Sequence, residues 1–281
     1  MNTRNLLNIA LSVIAGGLML LVVFAPEDTP PPAEYLLTGT PDSVQSITIS
    51  NSTRMHFSRQ HDHWYMRSPY DTRANDAQIS KMLEFFGVRV RSSFTVDGDI
   101  GKYGLSDPVL RVNFDDISVL LGGTDPLKRQ RYVLYQDTIA LIDNDLKYLF
   151  TQTPENYLYR GLLPDDAAPV QLSLPTMTVK KTAADWQLTG SDAAYTQEQI
   201  VILVDEWRLS QAAQITKARQ STGQKIEITL DNGVVLQYLL AAKEQDTVFI
   251  QPELGVQYHF RSDVARRLLT LTPTPGSDVK P

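Results

Sequence analysis

The chain has 281 residues, 42% of them hydrophobic and 21% charged, a balance that builds a folded core rather than a disordered tail. Its formal charge of −6 offers no clustered cationic footprint, which excludes nucleic-acid binding as a function class. The lack of any cysteine removes disulfides, thiolate metal sites, cysteine nucleophiles and a lipidated-cysteine anchor.

The first element in chain order is LLNIALSVIAGGLMLLVVF, Leu6–Phe24, which carries no charge. As a helix rising ~1.5 Å per residue it nearly spans a ~30 Å hydrocarbon core, and it exceeds the roughly 7–15 apolar residues of a cleaved signal peptide. The segment therefore reads as an uncleaved, single-pass signal anchor, with residues 1–24 forming a cytoplasmic tip and a transmembrane helix. Arg4 before it and Glu27 and Asp28 after it place the amino terminus in the cytoplasm and the bulk of the chain outside. The lipid bilayer is thus the first expected partner. Residues 25–43 follow as a proline-rich, semi-rigid linker.

Beyond the linker the sequence reads as one pattern written twice. In residues 44–150, ITIS (Ile47–Ser50), RMHFSR (Arg54–Arg59) and HWYMRS (His63–Ser68) alternate as half-buried strands do. A helix capped at Asn75 then carries Ile79, Met82, Leu83 and Phe86 on one face. In residues 170–270, LSLP, MTVKK and DWQLT precede a helix capped at Thr196 with Ile200, Leu203, Val204 and Trp207 at the same spacing. Trp64 and Trp186 hold equivalent places, each expected to be buried against its helix. Further hairpins follow in each copy, including one at Asp231-Asn232-Gly233, where Asn-Gly predicts a type I′ turn. The predicted fold class is α+β: an N-terminal transmembrane helix, then two tandem β-rich repeats of antiparallel hairpins packed on one helix each. Residues 151–169 connect the repeats, and residues 271–281 form a flexible tail.

Three short segments, YGLSDP (Tyr103–Pro108), LLGGTDP (Leu120–Pro126) and RYVLY (Arg131–Tyr135), follow the W-x-[ML] strand and capped helix in an order that resembles the bacterial domain-of-unknown-function family 4340. The second copy lacks a YGL-x-x-P counterpart. The resemblance implies a protein of the bacterial inner membrane, periplasmic in bulk. It also implies an accessory or scaffold role beside gliding-motility-type ABC transporter components, with a permease or auxiliary subunit as partner. No catalytic residues are established for that family, so none is carried over.

Chemistry-bearing residues are sparse. His61 and His63 flank Asp62 in QHDHWYM, and His56 on the preceding strand could complete a copper or zinc set, but a solvent-exposed hairpin tip is the expected role. The aspartate pairs Asp115-Asp116, Asp143/Asp145 and Asp165-Asp166 fall at turns, where carboxylates bond local amides. No phosphate loop, nucleophile elbow or zinc-protease motif is present, so neither a catalytic residue nor a cofactor is expected. The run KRQR nominates Lys128, Arg129 and Arg131 as an interface with a partner or anionic lipid. The expected function is a non-enzymatic, membrane-anchored accessory protein; a tethered periplasmic module binding a ligand or metal is the alternative.

Overall fold

A computed structural model describes residues 34–51, 53–190, 195–243 and 246–271, together with residues 11, 13–17 and 19 near the amino terminus. The chain divides into two compact units, Met1–Glu34 and Tyr35–Pro281. Within the first unit the few described residues are helical.

The second unit holds two antiparallel sheets. The first contains β1 (Ser46–Ser50), β2 (Arg54–Gln60), β3 (His63–Ser68), β4 (Thr72–Arg73), β5 (Ser92–Thr95), β6 (Leu110–Phe114), β7 (Ile117–Thr124), β8 (Gln130–Tyr135) and β9 (Thr138–Asp143). The second contains β10 (Pro169–Ser173), β11 (Thr178–Lys181), β12 (Trp186–Thr189), β13 (Gln214–Lys217), β14 (Gln224–Leu230), β15 (Val235–Lys243), β16 (Asp246–Gln251) and β17 (Val256–Phe260). Among its described residues the second unit also holds three α-helices: α1 (Asp76–Leu83), α2 (Gln197–Leu209) and α3 (Ser262–Leu269). The spatial order is β4-β3-β2-β1-β6-β7-β8-β9-β5 in one sheet and β12-β11-β10-β14-β15-β16-β17-β13 in the other. Apart from β4, strand for strand, the two orders are the same.

This architecture corrects the predicted fold class. The molecule is β-rich with few helices, and each set of hairpins is fused into one continuous sheet rather than resting on a helix as separate units. The fusion comes from β1, which pairs with its neighbour β2 (Ile47 opposite Phe57) and with the distant β6 (Ile47 opposite Phe114). Alternation within one strand says nothing about such a partner. No helix among the described residues is long and apolar enough to cross a membrane, so the predicted transmembrane helix is not found. Most of Leu6–Phe24 lies outside the described residues.

Local chemistry explains the element boundaries. The Asn75 side chain accepts hydrogen bonds from the amides of Ala77 and Gln78 and so caps α1, while Thr196 and Gln199 form a reciprocal capping box on α2. The turn after β14 is closed by Gly233 N–H on the Leu230 carbonyl, and only Gly233 has positive φ (84°). A type I′ turn needs positive φ at Asn232 as well, so that expectation is corrected. Trp64 is 4% exposed against α1, whereas Trp186 is only partly buried. Both mark strands next to a helix start. Trp64 N–H bonds Asp76 (2.8 Å) and its carbonyl accepts from Ala74 (2.8 Å); at Trp186 a single Gln197 amide accepts from the N–H (3.0 Å) and donates to the carbonyl (2.7 Å). Gln197 thereby covers polar groups that an edge strand would leave open.

Main-chain hydrogen bonds stitch the two sheets together through the connector. Tyr159 N–H bonds Arg73 carbonyl (3.0 Å) and Asn75 N–H bonds Tyr157 carbonyl (2.7 Å) on one side; Ala212 N–H bonds Arg160 carbonyl (2.9 Å) on the other, just before β13. Tyr157, Leu158, Leu162 and Leu163 are buried along this stretch and belong to one hydrophobic cluster with residues of both sheets.

Candidate functional site

The three segments that carry the family resemblance meet at one end of the β7–β8 hairpin. Gly104 adopts φ +68°, and a Cβ there would lie 2.8 Å from the Gly123 nitrogen; a Cβ on Gly122 would lie 2.5 Å from the Tyr103 carbonyl oxygen. The glycines are what let the two backbones touch. Arg131 donates to the Gly122 carbonyl, to Asn144 Oδ1 (2.9 Å) and to Thr124 Oγ1 (3.3 Å). It is 4% exposed, makes no ion pair among the described residues, and has its pKa pushed down by burial. Arg131 therefore holds the hairpin together from inside, which corrects its assignment to a surface patch.

Lys128 and Arg129 are exposed, in a loop fixed from within. The Asp125 carboxylate accepts from Leu127 N–H (3.0 Å), Lys128 N–H (2.6 Å) and Tyr132 hydroxyl (2.7 Å), and its backbone pairs with Arg129 and Gln130. The Lys128 amide and then the Tyr132 hydroxyl hold the Asp125 carboxyl below its usual range. At the tip, Leu127 is 91% exposed. Tyr103 packs between the rings of Tyr132 (4.9 Å) and Phe94 (5.4 Å), with the Lys102 ammonium over its own ring. Sequence reading missed Leu127, although a leucine between proline and lysine in a turn was the available signal.

The histidines do not converge. His61 occupies the β2–β3 turn with φ +54°, His56 bonds Thr48 Oγ1 (3.0 Å), and His63 sits against Asp76 (2.9 Å) and Arg73 (2.7 Å). His56 lies opposite Ser68 while His63 lies opposite Gln60, a separation of roughly 15 Å at ~3.3 Å per residue. Among the described residues no group of three or more potential ligands could hold a metal ion.

A larger feature lies between the sheets, a cleft of about 540 Å³ walled by β3 and β4, the connector, and β15 to β17. That volume is within the usual range for ligand sites. Its central group is Arg73, which bonds Asp76 (2.8 Å) and Asp165 (2.8 Å) and lies 5.0 Å from the centre of the Tyr159 ring. Tyr159 hydroxyl also donates to Asp165. Burial works against the charge on Asp76 and Asp165, but hydrogen bonds outweigh it. Arg73, the Trp64 amide and His63 hold Asp76 below the carboxylate range, as Tyr159 and Arg73 do for Asp165. Burial, helped by Asp165, pushes Tyr159 up to about 12. Sequence reading placed Asp165 in a turn, counted Arg73 only among the arginines that enrich the first copy, and passed over Asp76 and Tyr159, because the segments that bring them together lie far apart in the chain.

No curated protein and no solved structure matches the chain. The glycine contacts, the buried Arg131 and the Trp64 strand all fall where one family model aligns, over residues 64–247. The chain belongs to the family described as Domain of unknown function (DUF4340).

Proposed function

We propose that this protein is a non-enzymatic accessory or scaffold subunit of an ABC-type transport complex, working on the extracytoplasmic side of a membrane. The observation that carries this reading is the loop Asp125–Gln130. An exposed leucine between a proline and two cations is held in one conformation by its own hydrogen bonds. A pre-ordered apolar tip loses little entropy when it enters a partner's pocket, and flanking cations steer it to an acidic rim. Three of the carboxylates flagged in the sequence, one from each pair, serve structure: Asp115 binds the amides of Gln45 and Ser46, Asp143 pairs with Arg91, and Asp165 pairs with Arg73.

The test is extraction of the full-length chain in mild detergent. The expected result is co-purification of the permease or ATPase subunits in fixed stoichiometry, and their loss from a variant with Leu127→Glu, Lys128→Glu and Arg129→Glu that keeps its thermal midpoint. A chain that purifies alone, or a loop variant that retains the subunits, refutes the proposal. A phosphatase reporter fused after Pro281 is expected to be active; an inactive fusion refutes the extracytoplasmic location.

A further inference from the structure

The cleft between the sheets has more negative charge than its own cations neutralise. Arg67 pairs with Asp71 (2.7 Å) and lies 5.1 Å from the centre of the Tyr65 ring, and Arg73 is shared by Asp76 and Asp165. Among the residues that line the cleft, three carboxylates, Asp71, Asp165 and Asp166, thus stand against two guanidiniums. The third, Asp166, is an exposed residue at the cleft and makes neither a hydrogen bond nor an ion pair among the described residues. The hydroxyls of Tyr65 and Thr72, which also line it, have no partner there either. Leu236 and Pro164 add apolar surface to the lining. The chemistry this leaves open is a cation on an aliphatic stem. The head would meet Asp166 with hydroxyls beside it, and the stem would lie along Leu236. Two internal arginines already show the pattern, each set between a carboxylate and a tyrosine ring.

We propose that the cleft is a binding site for an amine or guanidinium group carried on an aliphatic chain, with Asp166 as its counter-ion. The site is separate from the loop at Leu127 and does not depend on the scaffold reading. Such a cation comes from two sources, a free small molecule or a basic residue of a polypeptide. Calorimetric titration of the full-length chain with agmatine and with a terminally blocked Ala-Arg-Ala peptide distinguishes them by which binds more tightly.

Asp166→Asn is expected to weaken the tighter probe by about tenfold or more, the worth of one charge-assisted hydrogen bond. The thermal midpoint should stay unchanged, because Asp166 bonds nothing in the protein. Butylurea, which keeps the planar shape of a guanidinium on an aliphatic stem and carries no charge, is expected not to bind. The proposal is overturned if neither cationic probe binds, if Asp166→Asn leaves binding intact, or if butylurea binds as well as agmatine.

Discussion

Arg73→Ala tests the cleft's central network most directly. The guanidinium side chain is 15% exposed and makes two 2.8 Å ion pairs, to Asp76 and Asp165, besides its contact with Tyr159. A charge-assisted hydrogen bond contributes about 1.5–3 kcal/mol when sheltered, but Asp76 and Asp165 are 35% and 47% exposed, so each is discounted to about 1 kcal/mol. The ring contact adds about 0.5–1 kcal/mol. The expected loss is roughly 2–3 kcal/mol, or about 5–10 °C in thermal midpoint for a unit of this size. Calorimetry of the full chain at neutral pH measures it. The acid limb supplies a second check. The folded-state pKa values of Asp76 and Asp165 are lowered, so their contribution is present above the unfolded value near ~4 and lost as pH falls through the folded values. The gap between wild type and variant should therefore close in strong acid. A midpoint unchanged at pH 7, or a gap that persists undiminished at low pH, refutes the network as a source of stability.

Two further substitutions probe the packing. Trp64→Ala should cost about 3–5 kcal/mol, the usual cost of emptying an aromatic core site, whereas Trp186→Ala, being only partly buried, should cost less than half of that in urea unfolding. Equal losses would contradict the burial difference. Gly122→Ala puts a Cβ 2.5 Å from the Tyr103 carbonyl oxygen, and is expected to lower the thermal midpoint and to expose Tyr103 to quenching; a variant as stable as wild type would show that this backbone contact is dispensable.

The strands and helix starts were readable because their causes are local. Met55 and Phe57 alternate with polar neighbours and point inward, and Asn75 and Thr196 cap the helices that follow them. What could not be read depends on partners distant in sequence. Nothing in ITIS says that Ile47 faces both Phe57 and Phe114, and nothing in TPENYLYRG says that Tyr159 will lie beside Arg73. Arg131 is an instructive intermediate case. Inside KRQR it reads as one more surface cation, yet in RYVLY it shares strand parity with Val133, which is fully buried, so the alternation already held the inward direction. The cleft itself draws on residues 63–73, 159–166 and 236–258, and no window of sequence spans them.

The hydrogen-bonded seam along residues 157–161 has a kinetic meaning as well. Many two-lobed binding proteins close on a ligand about a loose hinge, and their association rates carry the cost of that closing step. Here both walls are tied to one ladder through Arg73, Asn75 and Ala212, so the site is formed before anything enters it. Occupancy should then follow a single exponential whose rate rises linearly with ligand concentration, without a plateau. The backbone amides of Tyr159 and Ala212 should exchange with solvent at nearly the same slow rate whether the cleft is empty or full.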